Sequence, residues 1–368
     1  MSEPPSATVA DAAATPTADP RALSPGTSRL LWSTFLGLGL AAVIALIPLP
    51  YAVLRPGPAT NTLGVDASGK PLIEVPDATT YPTTGSLDFT TVRVSGGPGR
   101  RVNAWDLLGA WLDPDDDIFR ERLLFPEGST SEQVQERNQE EMVNSQQEAA
   151  VVALRSLGKD VGRRFVVGSL ADDAPARSVI KVGDAITAVD GRVVTSIEQI
   201  QLGITAHSPG ESVDLTIERG GREQDVQAKT TEVDGSTVLG VRLRIDYDLP
   251  VEVIVRAGDV GGPSAGTMFA LAIRDLLTPG SMTGGKAIAG TGTIDDAGAV
   301  GPIGGIRQKV VGAQAAGADF FLAPAANCPD VSGQAPEGLT IVRIATFDEA
   351  VAAVAKIADG SGGLPTCP

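Results

Sequence analysis

The chain of 368 residues carries one histidine, two cysteines and a formal net charge of −16. So few histidines and cysteines exclude a zinc site or metal cluster built on these residues, and we expect neither a metal nor a bound cofactor. The acidic balance argues against a nucleic acid as a partner.

The N-terminal region divides into a polar and an apolar part. Residues 1–28 are rich in Ser, Thr, Pro and Ala without apolar periodicity, which predicts a disordered tail. An uncharged run, Leu30 to Leu54, follows between two arginines. It is long enough to cross a bilayer, and no convincing small-x-small cleavage site follows it. We therefore predict a single-pass, uncleaved anchor over residues 29–54, with the long body extracytoplasmic at the cell membrane.

Residues 55–158 combine short β-like runs with a helical tract. Turn residues separate the β-like runs up to Val94, and Ser129 or Thr130 can cap the later helix, which Gly158 ends. We predict a membrane-proximal structural unit over residues 55–158 and find no chemistry in it.

Residues 159–232 read as short strands separated by turns. The order is Ala-Pro-Ala, the run KVGDAI leading to VDG, a short helix from Ser196, and Pro-Gly before SVDLTIERGG. This order resembles a PDZ domain, a fold that adds a peptide C-terminus as a strand at a sheet edge and holds its carboxylate in a Gly-rich loop. The resemblance puts that loop before Phe165, where the chain reads SLGKDVGRRF instead of Gly-Leu-Gly-Phe. The sequence leaves open whether the domain binds peptide C-termini.

The stretch VGGPSAGTMFALA places Ser264 among small residues where an apolar, helix-like run begins. The serine can be a helix N-cap beside a turn. Alternatively it is a nucleophile, with Gly262 and Ala265 leaving room for a substrate and nearby backbone N–H groups holding an oxyanion. A nucleophile needs a base, and His207 lies in the surface turn TAHSPGES of the PDZ-like segment, which argues against a Ser-His-Asp triad.

A lysine can supply that base. A helix is predicted from Ile306 to Ala316, and Lys309 lies on it among apolar residues. A lysine at this position can extend to solvent, but a buried lysine has a lowered pKa and can take a proton near neutral pH.

These segments together resemble the proteolytic domain of the Lon protease family. The order is GGPSAG, a helix, a Thr-Gly pair and GPIGGIRQK. The resemblance implies an α/β domain over residues 236–358, a Ser-Lys dyad of Ser264 and Lys309, support of the lysine by Thr291, and assembly as a hexameric ring. Residues 359–368 form a C-terminal tail. The chain departs from the family at Gly261, where an acidic residue is common.

The order of anchor, PDZ-like segment and Lon-like segment resembles the membrane-anchored, ATP-independent PDZ/Lon-type serine proteases of Gram-positive bacteria and actinobacteria. The predicted fold class is α+β and multidomain. We expect a serine endopeptidase that hydrolyses flexible or unfolded extracytoplasmic or membrane proteins. Nucleotide binding is not expected, because Ala287 ends the stretch GSMTGGKA where a phosphate-binding loop needs Ser or Thr.

Some alternatives stay open. The sequence is also compatible with a noncatalytic PDZ scaffold, provided that Lys309 does not reach Ser264. A small-molecule kinase is a further alternative, because such kinases share the fold of the Lon domain. Cys328 and Cys367 can form one disulfide, as an oxidising compartment permits, or remain two free thiols.

Overall fold

The computed structural model describes residues 25–66 and 68–367. The α-helices in this part of the chain are α1 Pro25–Leu46, α2 Ala104–Leu112, α3 Glu121–Leu124, α4 Ser131–Ser156, α5 Ile197–Thr205, α6 Gly266–Leu276, α7 Ile306–Ala315, α8 Cys328–Val331 and α9 Phe347–Ala358. The strands are β1 Tyr51–Asn61, β2 Ile73–Glu74, β3 Ser86–Gly96, β4 Asp117–Arg120, β5 Gly162–Leu170, β6 Ala185–Val189, β7 Arg192–Val193, β8 Ser212–Arg219, β9 Arg222–Lys229, β10 Thr231–Val233, β11 Ser236–Val238, β12 Val241–Asp248, β13 Ile254–Val255, β14 Ala287–Gly290, β15 Thr293–Ile294, β16 Val300–Gly301, β17 Phe320–Pro324 and β18 Thr340–Ile344.

One six-stranded sheet has the order β18-β17-β14-β3-β1-β4. Strands β18, β17, β14 and β3 are parallel, whereas β1 pairs antiparallel with β3 and β4. The predicted unit over residues 55–158 and the predicted domain over residues 236–358 therefore share one sheet, which β1, β3 and β4 complete. The physical reason is that Leu87 and Phe89 of β3 are buried in the same apolar core as α6.

Helices cover both faces of this sheet. On one face, α4, α6 and α9 share a core with the strands, and the rings of Phe89 and Phe269 lie 5.5 Å apart between their centroids. On the other face, α7 packs on β14, β17 and β18 through Ile306 and Val310. A sheet covered on both sides explains why its central parallel strands β14 and β17 are entirely apolar.

A second sheet, β12-β5-β6-β8-β9 with β7 beside β6, is inserted between α4 and α6. It has its own core with α5. Its first and last residues, Gly162 and Asp248, are cross-strand partners, so the chain enters and leaves the insertion at one place. The predicted range 159–232 omitted β12, because a strand pattern does not show which strand will pair with β5.

The N-terminal prediction needs correction at both ends. Residues 1–24 of the predicted tail lie outside the described residues, and α1 already begins at Pro25. The predicted anchor over residues 29–54 extends too far, because α1 ends at Leu46 and the residues from Tyr51 belong to β1, where Ala52 and Val53 are fully buried. Within the described residues, no helix combines the length and apolar character needed to cross a membrane.

A disulfide joins Cys328 on α8 to Cys367, which decides between the two alternatives for these cysteines. The bond holds the C-terminal tail along the outer edge of β18. Arg343 N–H donates to Pro365 O at 2.7 Å, and Cys367 N–H donates to Ile341 O at 3.3 Å. The tail thereby covers backbone groups that an edge strand would otherwise expose.

Candidate active site

Ser264 lies in a turn that opens into α6, at the carboxyl end of the strand pair β3 and β14. Its loop is fixed from behind by α4. The Gly262 N–H donates to Asn138 O at 2.8 Å, and the buried Ser145 Oγ donates to Pro263 O at 2.9 Å. Gly266 is required there, because a Cβ would lie 2.6 Å from Ser145 Oγ.

Lys309 reaches this serine from α7 on the opposite face of the sheet. Its Nζ donates to Ser264 Oγ at 2.7 Å, although the residue is only 2% exposed. The close approach of α7 depends on glycine, since a Cβ at Gly312 would lie 2.5 Å from Gly57 O. Gly305, with a φ of +67°, allows the chain to turn into the helix beside Val92.

Burial determines the acid–base chemistry of the lysine. It lowers the pKa of Lys309 from 10.5 to about 7, because the ammonium loses its water without gaining a carboxylate partner. A substantial fraction of the side chain is then the neutral amine at neutral pH. Such an amine can accept the proton of the serine hydroxyl that it contacts.

Thr291 connects the two residues from the end of β14. Its Oγ1 accepts a hydrogen bond from Lys309 Nζ at 3.0 Å and donates one to Ser264 O at 3.0 Å. The neighbouring Gly292 N–H donates to the same carbonyl at 2.9 Å. Thr291 is fully buried, so these contacts hold both the amine and the backbone of the serine in place.

The two residues predicted to flank the oxyanion differ in what they offer. The Gly262 N–H already donates to Asn138 O and is unavailable to an oxyanion in this conformation. Gly262 instead supplies a φ of +85°, which shapes the turn before Pro263. Ala265 is the N-cap residue of α6, where backbone N–H groups point out of the helix end.

A cleft adjoins the serine loop. Strand β14 pairs with β3 only up to Phe89, so the rest of β3 has no strand partner on that side among the described residues. A cavity of about 410 Å³ lies between this part of β3, the first half of α4 and residues 258–261. Its apolar lining residues are Val94, Pro98, Phe125, Val134 and Val260.

Comparison with known proteins agrees with this geometry. Residues 226–357 match the family model for the Lon protease (S16) C-terminal proteolytic domain, and residues 137–230 match that for the PDZ domain. The chain is similar to Lon protease 1 of Bacillus subtilis (31% identical over 175 residues, 45% of this chain and 22% of that protein). It is also similar to Lon protease of Azospirillum brasilense (31% over 209 residues, 54% of this chain and 24% of that protein).

Residues 226–357 are thus similar to a Lon-type serine peptidase domain. The chain spans about a quarter or less of the length of these relatives. Among solved structures, it is similar to the PDZ domain of the SdrC-like protein from Listeria monocytogenes, with 30% identity, a TM-score of 0.21, and coverage of 22% of this chain and 85% of that one.

In the PDZ domain, the groove that could accept a peptide lies beside a different strand from the one that the sequence predicted. Strand β5, which contains Phe165, pairs with β12 on one side and β6 on the other, so no peptide can add to it. On that side of the sheet the edge strand is β12, and a groove of about 520 Å³ lies between it, β11 and α5. The loop between β11 and this edge is Leu239-Gly240, with Gly240 at a φ of +71°.

Sequence reasoning also missed the role of α4. The tract was interpreted as structural, yet the backbone carbonyl of Asn138 and the side chain of Ser145 hold the loop of Ser264. No local signal distinguishes these two residues from others on the helix. The single histidine, His207, contacts Asp190 in the PDZ domain, 2.9 Å from Nε2 to Oδ2.

Proposed function

We propose that this protein is a serine endopeptidase that works without ATP. The observation that carries the proposal is the 2.7 Å separation of Lys309 Nζ and Ser264 Oγ in a site that buries the lysine. A noncatalytic scaffold requires that the lysine does not reach the serine, so the geometry favours the protease. The stretch GSMTGGKA ends in Ala287 where a phosphate-binding loop needs Ser or Thr, which supports hydrolysis without ATP.

The proposed chemistry begins with neutral Lys309. As Ser264 Oγ attacks the carbonyl carbon of a peptide bond, the amine takes the hydroxyl proton. The resulting ammonium gives that proton to the leaving amine nitrogen, the C–N bond breaks, and an acyl-enzyme forms. Water then attacks the ester with the lysine again as base, which releases the acid and restores the serine. Thr291 keeps the amine aligned through both steps.

The proposed substrates are extended chains. The unpaired part of β3 and the cavity beside the serine loop can accept a strand-like segment, but a cavity of about 410 Å³ is too small for a folded domain. Flexible or unfolded proteins therefore fit the site. Recruitment through the groove between α5 and β12, which would hold a peptide C-terminus, is part of the same proposal.

We also propose that the N-terminal segment attaches the protein to a membrane, with the body extracytoplasmic. Helix α1 exposes apolar side chains around its circumference, among them Leu30, Phe35 and Leu36, and no charge follows Arg29 in it. The disulfide is consistent with an oxidising compartment. Assembly as a hexameric ring stays a prediction. Native mass spectrometry of the protein in detergent can test it.

The decisive experiment measures cleavage of casein by the purified protein. Ser264→Ala, Lys309→Ala and Lys309→Arg should each abolish cleavage, since a guanidinium remains protonated. The matched control is Lys286→Ala, which removes an exposed lysine and should leave the rate unchanged. Added ATP and magnesium should have no effect. Retained cleavage in Lys309→Ala would exclude the dyad, and stimulation by ATP would exclude the nucleotide-independent mechanism.

A further inference from the structure

Helix α2 is apolar on two opposite faces. Leu107 and Ala110 pack inward against Val53 of β1. The other face, which we call the outer face of α2, is exposed and consists of Trp105, Leu108, Trp111 and Leu112. Apolar helix faces are normally covered, yet in the described part of the chain these side chains remain largely exposed apart from the contact of Trp105 with α1.

The tryptophans are concentrated near the N-terminal helix. The chain has three tryptophans, and all lie in α1 or α2: Trp32 is 75% exposed, Trp105 48% and Trp111 75%. Tryptophan is enriched where a protein meets the headgroup level of a bilayer, because its ring is apolar while its N–H seeks a polar partner. The exposed tryptophans of α1 and α2 are therefore both typical of residues at the headgroup level of a bilayer.

The position of α2 along α1 agrees with such an environment. The Trp105 indole N–H donates to Ala41 O at 3.2 Å, and Leu49 N–H donates to Val102 O at 2.8 Å just before α2 begins. Ala41 precedes the end of α1 at Leu46 by five residues, which is roughly 7.5 Å along the helix axis. Interfacial helices bury their apolar face to a depth of about 5–10 Å.

Helix α2 is rigidly attached to the body. Asn103 caps it by accepting hydrogen bonds from the N–H groups of Trp105 and Asp106, and the Asp106 carboxylate accepts from the Asn103 N–H. The inner face is fixed on β1. The outer face therefore keeps its orientation toward α1.

We propose that the outer face of α2 lies in the interface of the membrane to which α1 attaches the protein. This inference rests on the membrane attachment proposed above. The partner is the headgroup and upper acyl region of a lipid bilayer, which solvates two exposed tryptophans and two leucines better than water does. The contact fixes how the Lon-type domain is oriented above the membrane.

Tryptophan fluorescence tests the proposal with the full chain in phosphatidylcholine vesicles. In Trp32→Phe, only Trp105 and Trp111 emit, whereas in Trp105→Phe/Trp111→Phe only Trp32 emits. Lipids brominated in the upper acyl chain should quench about half of the emission of the first variant, as expected for tryptophans at the interface, and aqueous iodide should quench little. The second variant reports separately on α1.

The outcomes separate the two proposals. Quenching of Trp32 by brominated lipid, with quenching of Trp105 and Trp111 by iodide instead, would overturn the inference and leave the attachment intact. Protection of Trp105 and Trp111 from both quenchers would show that a second copy of the chain covers the face, and would also overturn it. Absence of lipid quenching in both variants would refute the attachment itself.

Discussion

Arg163 Nε lies 2.5 Å from Asp296 Oδ2, so an ion pair joins the first strand of the PDZ domain to the turn between β15 and β16. Arg155 of α4 donates to Asp296 O at 2.8 Å in the same turn. The turn follows Gly292, whose N–H donates to Ser264 O. The PDZ domain is therefore bonded to the segment that also holds the backbone of Ser264.

This ion pair should couple the two domains measurably. Both side chains are partly exposed, so we expect a coupling energy of about 1 kcal/mol in a double-mutant cycle. The cycle compares urea unfolding of the wild type, Arg163→Gln, Asp296→Asn and the double variant. Additive losses would mean that the pair contributes no coupling between the domains.

The rate of peptide cleavage should depend on the protonation of Lys309. Because burial lowers its pKa to about 7 and the neutral amine is the base, kcat/KM should increase about tenfold per pH unit below pH 7 and level off above it. The measurement is hydrolysis of an unstructured fluorogenic peptide across this range. A profile without an inflection near pH 7 would contradict the assigned base.

Thr291→Val should lower kcat by about tenfold to a hundredfold with a smaller effect on KM, because it removes the hydrogen bond that aligns Lys309 Nζ. Thr291→Ser keeps the hydroxyl and is the matched control, which should retain most of the rate. The same peptide assay distinguishes the two. If Thr291→Val cleaves as fast as Thr291→Ser, the hydroxyl has no positioning role.

The cross-strand pairing of Gly162 with Asp248 shows where the PDZ domain can be excised. These residues face each other across β5 and β12, so a short Gly/Ser bridge between them replaces the whole insertion. Cleavage of a small peptide should stay within about tenfold, a barrier change of about 1.4 kcal/mol. Cleavage of a protein recruited by its C-terminus should decrease much more.

The control for this excision varies the C-terminus of the substrate. The wild type should prefer a substrate with a free C-terminal carboxylate over its amidated form, and the excised variant should not discriminate between them. Equal losses on the peptide and the protein, with a folded catalytic domain, would instead show that the PDZ domain completes the active site.

Loss of the disulfide should destabilise the catalytic domain. The bond between Cys328 and Cys367 closes a loop with a sequence separation of 39, and loop entropy gives a contribution of about 3–4 kcal/mol. In Cys328→Ala/Cys367→Ala, Tm should fall on the order of 10 °C. Reductant should lower the Tm of the wild type and leave that of the double variant unchanged.

Local features and short motifs were predictable from the sequence. The loop before α6 and the helix carrying Lys309 were predictable from local patterns, and the resemblance to the Lon family implied Thr291. The structure brings Ser264, Lys309 and Thr291 within hydrogen-bond distance. Their catalytic roles stay predictions. The cap of α4 by Thr130 was also predictable, because the capping box with Gln133 is a local pattern.

Pairing between distant strands could not be predicted. An apolar strand looks the same whichever sheet it joins, so β3 was separated from β14, and β12 was left out of the PDZ domain. The run from Leu30 to Leu54 was interpreted as one element, although Pro48 and Pro50 separate a helix from a buried strand.

The pairing of β3 with β14 also sets when activity can appear during synthesis. These neighbouring strands are separated in the chain by the complete PDZ insertion, and Lys309 follows still later. A growing chain can therefore finish the PDZ domain while the cleft beside β3 still lacks Ser264 and Lys309. If the proposed dyad is the active site, the order of the elements keeps it incomplete until Lys309 has been made, so the segments before Lys309 are synthesised in the absence of a complete site.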